Sequence, residues 1–476
     1  MVVGDVATAV DVLILGAGPA GYVAAIRAAQ LGRRVTIVDP GPPGGTCLHR
    51  GCIPLKALVT ASERYHEART GLESFGIKAE GVSYNWSQVS AWKQGVVTRL
   101  SDGVAKLLSG NKVDVVHGTG WFINDHEARV EGEHGSLRFT FDRCLIATGA
   151  EANPLPDIHF DGKRVLTPED ALALQEFPKA LTIFGNDYIA LELATIFARL
   201  GAGVTLLLPG DTLFDGVDPA ALRLVQAGLK ALGVQIVQHA RPLGIAGEIL
   251  RYSTGESANE QQAPLPCIPS LGARPRLANL HLDAAGVKRL PDGGLVANTS
   301  GCTSNERIYA AGDCLGAPTL ASVAIKQSKV AAEAMSGARV QYAPQALPLV
   351  VHTAPELATV GLSPQAAEAA GYKTVVGRFP LAANGRALTL GTNAGQALIV
   401  SDAESEVVLG VTLVGPRAGD LIGQATLAIE MGATLTDLTE ILYAHPGLSE
   451  IVLEGAESAL GKAIHILAAT PAKASR

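Results

Sequence analysis

The chain has no surplus of basic residues: 38 Lys and Arg stand against 45 Asp and Glu, a formal net charge of −7 over 476 residues. With a pI near 5.9, that balance excludes a basic face for nucleic acid or anionic lipid. Cysteine is scarce, six in all, which rules out the disulfide framework of a small secreted protein. No second cysteine pair has zinc-like spacing, so no metal site is expected. Uninterrupted apolar runs long enough to span a bilayer are missing. Solenoid-period repeats and low-complexity tracts are missing too. The apolar N-terminus lacks a basic leader and reads as core strand rather than signal peptide, so a cytoplasmic location is expected. At this length three or four domains or subdomains with ample buried core are expected.

What is present begins with DVLILGAGPAGY, which sets Gly16, Gly18 and Gly21 at GxGxxG spacing after a strand, followed by a small-residue helix and a second strand, VTIVD, ending in Asp39. Strand, helix, second strand and acidic end in that order form a complete dinucleotide signature. Gly16 permits the tight turn, Gly18 lets the backbone approach a pyrophosphate and Gly21 brings helix and strand together. Asp39 is placed to accept from a ribose hydroxyl. Just downstream, GGTCLHRGCIPLKAL holds Cys47 and Cys52. Residues five apart on an undistorted helix exceed the roughly 7 Å Cα limit for a disulfide. Cys47 is therefore expected in a loop and Cys52 at a helix start, with Pro54 in the first turn. The helix N-terminus and Lys56 would stabilise a Cys52 thiolate. A redox pair beside a flavin is the favoured reading, with a structural bridge or metal site as the alternative. Cys144, Cys267, Cys302 and Cys314 read as small apolar fillers.

Together, the fingerprint and the cysteine segment resemble the flavin disulfide oxidoreductases, and the run GGTCxxxGCIPxKAL is most similar to dihydrolipoyl dehydrogenase. The resemblance extends along nearly the whole chain, through LIATGA (145–150), IYAAGDCLGAPTLA (308–321), FPLAANGRAL (379–388) and YAHPGLSE (443–450). It implies FAD held by Gly16, Gly18, Gly21, Asp39, Gly118, Thr148, Gly149, Asp313 and Ala321, with a Lys56–Glu192 pair near the flavin. It further implies a homodimer in which His445, its ring oriented by Glu450, serves the Cys47–Cys52 disulfide of the partner subunit. A histidine titrating near neutrality suits that acid–base task, and a carboxylate on its other nitrogen fixes the tautomer. Tyr443 and Gly447 depart from the histidine and threonine common there, without removing the pair.

A second strand–helix–strand unit, LTIFGNDYIALELATIFARLGAGVTLLLPGD (181–211), keeps Gly185 but has Asp187 and Ala190 at the second and third glycine positions, and Leu208 where an acidic residue would hold a ribose. Asp187 sets a charge where backbone should meet a pyrophosphate. In PLPCIPSLGARPR (264–276) the closely spaced prolines Pro264, Pro266 and Pro269 argue against a strand. NAD(H) binding is therefore doubtful.

The expected fold is α/β, with two Rossmann-like dinucleotide domains and a C-terminal α+β dimerisation domain. The layout is 1–150 FAD domain, 151–276 degenerate NAD-like domain, 277–345 FAD domain again, and 346–476 interface domain, with Tyr342–Pro348 as linker. Val89, Trp92, Val96, Val97, Leu100, Val104 and Leu107 predict a long helix packed on the core, and Tyr252–Gln262 reads as a surface loop. Three functional readings follow. The favoured one is a dithiol/disulfide oxidoreductase of dihydrolipoyl dehydrogenase type that is impaired in NAD(H) use, acting on a dihydrolipoyl group carried on a lipoyl protein or on another small dithiol. The others are an ordinary NAD-linked dihydrolipoyl dehydrogenase and a non-catalytic assembly subunit.

Overall fold

The structure, a computed structural model, describes residues 7–133, 135–255 and 260–467. The fingerprint folds as its glycines require. Strand β1 (Thr8–Leu15) enters helix α1 (Pro19–Gln30) and returns as β2 (Val35–Asp39). Gly16 has φ +105°, and a Cβ there would lie 2.2 Å from the Ala147 carbonyl oxygen. One at Gly21 would lie 1.8 Å from the Gly16 carbonyl oxygen, so Gly21 is the helix-to-strand packing point.

The cysteine segment forms two helices, α2 (Gly45–His49) and α3 (Cys52–His66). Cys47 therefore sits on a short helical turn rather than in a loop, and the break at Arg50–Gly51 separates it from Cys52. Helix α4 (Trp86–Gly110) runs back along α3. It buries Trp86, Lys93, Val97, Val104 and Leu108. Trp92, Leu100 and Leu107, expected in the core, are exposed, Trp92 by 48%. Lys93 takes a core position because its ammonium reaches the Leu172 carbonyl while its stem packs.

Strands β3 (Asp114–His117), β4 (Thr119–Phe122), β5 (Glu127–Gly132) and β6 (Gly135–Ile146) complete a sheet ordered β3-β2-β1-β6-β5-β4, with Ile308–Ala310 added parallel to β6. The central strands β1 and β6 are buried at Val12–Leu15 and Cys144–Ile146, as parallel strands covered on both faces are.

Strand β7 (Ala150–Ala152) and the capped turn of helix α5 (Pro168–Leu172) lead to the second unit: β8 (Ala180–Phe184), α6 (Tyr188–Arg199), β9 (Gly203–Leu207), α7 (Pro219–Ala231) and β10 (Gln235–Val237). A three-stranded antiparallel sheet follows, β11 (Ala240–Ala246), β12 (Ile249–Thr254) and β13 (Gln261–Pro264). The stretch 252–262 expected as a loop thus has strand at both ends, and 256–259 lie outside the described residues.

The proline-rich segment is also strand: β14 (Cys267–Pro269) pairs parallel with β8 and β15 (Ala273–Pro275) pairs with β7. Its prolines cost no ladder bond. The Pro266 carbonyl accepts from Thr182 N–H and Ser270 N–H donates to Phe184, while Pro269 lies on the outer edge where no donor is needed.

Strand β16 (Ile308–Ala310) and helix α8 (Ala321–Met335) close the first domain against α1. After Tyr342–Pro348, which is neither helix nor strand, β17 (Leu349–Val351), β18 (Leu357–Gly361), β19 (Thr374–Pro380), β20 (Gln396–Asp402) and β21 (Val408–Val414) form an antiparallel sheet ordered β17-β18-β21-β20-β19. Helices Ala418–Glu430 and Glu450–Ala459 pack on it. Among the described residues no helix is long and apolar enough to cross a membrane.

Candidate active site

A cleft of about 570 Å³ opens where β1, α1, α3 and the start of α6 converge. Gly16, Gly18, Asp39, Cys47, Cys52, Lys56, Gly118, Thr148, Gly149, Asp313 and Ala321 all line it. Three observations make this wall a fit for FAD. A Cβ at Gly18 would meet only the Gly45 Cα, at 3.8 Å, so its missing side chain leaves room in the cleft rather than relieving a protein contact. The Thr148 hydroxyl is buried without a partner among the described residues, which asks for a ligand group. Asp313 has no hydrogen-bond donor among the described residues, and burial lifts its carboxyl above the usual range. Asp39 accepts from Ala17 N–H at 2.7 Å and Gly41 N–H at 2.8 Å. These bonds fix its carboxylate while leaving lone pairs for a ribose. Gly21 does not reach the cleft, in keeping with its packing task.

Cys47 and Cys52 stand in thiol–thiol hydrogen-bond contact. The bond from Cys47 holds the Cys52 thiol below its ordinary pKa against the effect of burial, with Lys56 adding positive charge. The same bond, with burial, pushes Cys47 far up. The two sulfurs are thus shifted in opposite directions, and Cys52, the lowered one, holds the first position of α3. The Lys56 ammonium lies 2.5 Å from Glu192 Oε2, and Glu192 Oε1 accepts from His352 N–H at 3.0 Å. Glu192 itself is fully buried and does not line the cleft. The Lys56–Glu192 pair that the resemblance implies is formed, and of the two only Lys56 lines the cleft.

At the start of α6 the Asp187 carboxylate turns inward and caps its own helix. It accepts from Ala190 N–H at 2.8 Å, from the Ser270 hydroxyl at 2.7 and 2.9 Å, and from Gly272 N–H at 3.4 Å. Burial raises its pKa in spite of these bonds. Gly185 has φ +150°, and a Cβ there would lie 1.9 Å from the Ser270 carbonyl oxygen, so Gly185 is needed for the approach of β14. Ala190 and Leu208 are fully buried, and Leu208 offers nothing to a ribose.

His445 and Glu450 are held together away from this cleft. His445 Nδ1 lies 2.8 Å from Glu450 Oε1, and Gly447 N–H donates to Oε2 at 2.7 Å. Burial alone would raise the Glu450 pKa, but the bonds from Gly447 and His445 hold it below the usual value. The histidine side chain is 79% exposed and does not line the cleft of its own chain. Three cleft residues were not singled out in sequence: Arg50, between the cysteines; Glu169, which pairs with it; and Ser270. Arg50 was readable from its place in the cysteine loop, whereas Ser270 lies 83 residues from Asp187.

Comparison with known proteins places this architecture. Residues 10–328 match the family model described as pyridine nucleotide-disulphide oxidoreductase, and residues 347–456 match the dimerisation domain of the same family. The chain belongs to the pyridine nucleotide-disulphide oxidoreductase family. It is 41% identical over 474 residues to the dihydrolipoyl dehydrogenase of Geobacillus stearothermophilus, an alignment spanning 98% of this chain and 100% of that protein. It is 40% identical over 474 residues to dihydrolipoyl dehydrogenase 2 of Haloarcula marismortui, again spanning 98% and 100%. The crystal structure of LpdA from Mycobacterium tuberculosis superposes with a TM-score of 0.87 at 26% identity, covering 94% of this chain and 99% of that one.

Proposed function

We propose that this chain is an FAD-dependent dithiol/disulfide oxidoreductase of dihydrolipoyl dehydrogenase type, acting as a homodimer, and that it uses NAD(H) poorly. The observation that carries the reading is the placement of Cys47 and Cys52 together in the cleft built by the dinucleotide fingerprint, with Cys52 at the N-terminus of α3.

Gly16, Gly18, Asp39, Gly118, Thr148, Gly149, Asp313 and Ala321 would hold FAD, which when bound supplies a two-electron acceptor. The chain's own residues divide the remaining work. His445 of the partner subunit takes a proton from one substrate thiol on Nε2, since Glu450 holds Nδ1. The substrate thiolate attacks the Cys47 sulfur of the oxidised pair, the Cys47–Cys52 bond breaks, and Cys52 leaves as thiolate, stabilised by Lys56 and the α3 N-terminus. The proton on His445 passes to Cys47 as the second substrate thiol attacks the first substrate sulfur and displaces Cys47; His445 takes the proton of that second thiol in turn, and a cyclic disulfide is released. Two electrons have then moved from substrate to the enzyme pair.

The supposed weakness toward NAD(H) rests on Asp187, whose carboxylate takes the α6 N-terminal donor that a pyrophosphate would need. The ordinary NAD-linked reading is favoured by the names and full-length similarity of the relatives. A dihydrolipoyl group, whether on a lipoyl protein or free, is the substrate class these relatives suggest. Anaerobic mixing of the holoenzyme with dihydrolipoamide and, separately, with NADH tests the reading. Reduction by the dithiol alone supports it, equal reduction by both returns the ordinary enzyme, and inertness to the dithiol removes the dithiol activity.

A further inference from the structure

Arg50 is a cation beside the cysteine pair that the mechanism above does not use. This residue lies in the break between α2 and α3, three positions after Cys47 and two before Cys52, and lines the cleft beside Thr46, Cys47, Gly51 and Cys52. Two trans peptide units span at most roughly 7.6 Å between Cα atoms, so Arg50 shares the cleft wall that carries the pair.

The other two cations of the cleft differ from it. Lys56 is held by fully buried Glu192, and Arg276 follows β15, beside Glu151. Arg50 is half open, its side chain 51% exposed. Its Nε faces Glu169 Oε2 at 3.3 Å and its Nη2 reaches the Thr46 hydroxyl at 3.4 Å, while Nη1 has no partner among the described residues. A guanidinium carries five donors in a planar fork that matches a carboxylate. Here one edge is steadied by Glu169 and Thr46 and donors remain for a ligand.

We propose that Arg50 is a specificity-determining residue that docks a carboxylate borne by the dithiol itself, so that the free acid, dihydrolipoate, is preferred to its neutral amide. The inference rests on the dithiol reading above. Glu169 has two opposed effects in it. It orients the fork, and as a like charge it weakens the incoming carboxylate. Removing Arg50 and removing Glu169 should therefore move the acid-to-amide preference in opposite directions. A mere structural brace would give both substitutions the same effect on both substrates.

The test uses the FAD-loaded enzyme and anaerobic stopped-flow reduction by dihydrolipoate and by dihydrolipoamide, each as a second-order rate constant. At low salt the unsubstituted enzyme should favour the acid about fivefold, the scale of a half-exposed charge pair. The preference should shrink on adding salt. Arg50→Gln should bring the ratio to about one, Arg50→Lys should retain part of it, and Glu169→Gln should raise it. A ratio of one or less in the unsubstituted enzyme, or a ratio that Arg50→Gln leaves unchanged, overturns the proposal even if both dithiols react well. Failure of both dithiols to reduce the enzyme overturns the dithiol reading and this inference together. Should Arg50→Gln fail to fold, Arg50→Lys decides the matter, since a ratio that it leaves wholly unchanged also overturns the proposal.

Discussion

Replacing Asp187 by glycine should improve the binding of NADH without harming the flavin site. In the present arrangement the carboxylate takes the N–H of Ala190 and the hydroxyl of Ser270, so a pyrophosphate brought to α6 meets a negative charge and an occupied donor. Two unit charges about 4 Å apart interact by about 4 kcal/mol at an effective dielectric near 20, a thousandfold in binding. Partial solvent access to the cleft screens this, and about a hundredfold gain on substitution is the working figure. The helix itself loses only a few tenths of a kcal/mol when glycine replaces a capping side chain. Leu208 should be left alone, because it is fully buried and a glutamate there would bury a carboxylate. Equilibrium titration with NADH and the anaerobic rate of flavin reduction provide the readouts, with flavin content and circular dichroism as controls. If a folded, FAD-loaded Asp187→Gly enzyme bound NADH no better than its parent, Asp187 would not be the obstacle.

Other outcomes follow from the same geometry. Gly18→Ala should leave the fold stable while lowering FAD content about tenfold or more, because its Cβ projects into the cleft; Gly21→Ala should instead lower the melting temperature, by about 1–3 kcal/mol of stability, because its Cβ meets the Gly16 carbonyl. In the reduced enzyme, ultraviolet absorbance should report a thiolate at neutral pH that Cys52→Ser removes and Cys47→Ser retains; the reverse pattern would exchange the roles of the sulfurs. Mixed dimers of a Cys47→Ala chain with a His445→Ala chain should recover one working site each, whereas His445→Ala homodimers should oxidise dithiol about 10²–10⁴-fold more slowly. No recovery in a verified mixed dimer would contradict service across the subunit boundary. Glu450 has a folded-state pKa below its unfolded value of about 4.3, so its contribution to stability is present above that pH and is lost as pH falls through the lower folded value. Acid-unfolding curves of the parent and Glu450→Gln should therefore differ most above about pH 4.3 and converge only once pH has fallen through the lower folded value.

The first strand, helix and strand were legible because each glycine has a local reason, a turn at Gly16 or a contact at Gly21, that sits within the motif itself. His445 and Glu450 were named through the family resemblance, and the hydrogen bond that joins them spans only five residues. The environment of Asp187 was not. Its residue type announces a charge, but whether that charge points at a ligand or back into its own helix depends on Ser270 and Gly272, brought in by β14. That strand was hidden in turn by prolines whose missing N–H groups matter only once the edge they face is known. Helix α4 shows the limit of periodicity: its apolar residues form two seams, and tertiary packing buried the one containing Lys93 while leaving Trp92, Leu100 and Leu107 outside.

The dithiol activity is tested most directly by mixing the FAD-loaded enzyme anaerobically with dihydrolipoamide, following the flavin absorbance, and alkylating the quenched protein for mass spectrometry. With dihydrolipoamide in excess, so that flavin and cysteine pair each receive two electrons, rapid bleaching is expected in the parent enzyme, with Cys47 and Cys52 both becoming alkylatable and neither change occurring in Cys47→Ser. A flavin that stays oxidised in the parent, or one that bleaches equally fast in Cys47→Ser, would contradict electron entry through this pair.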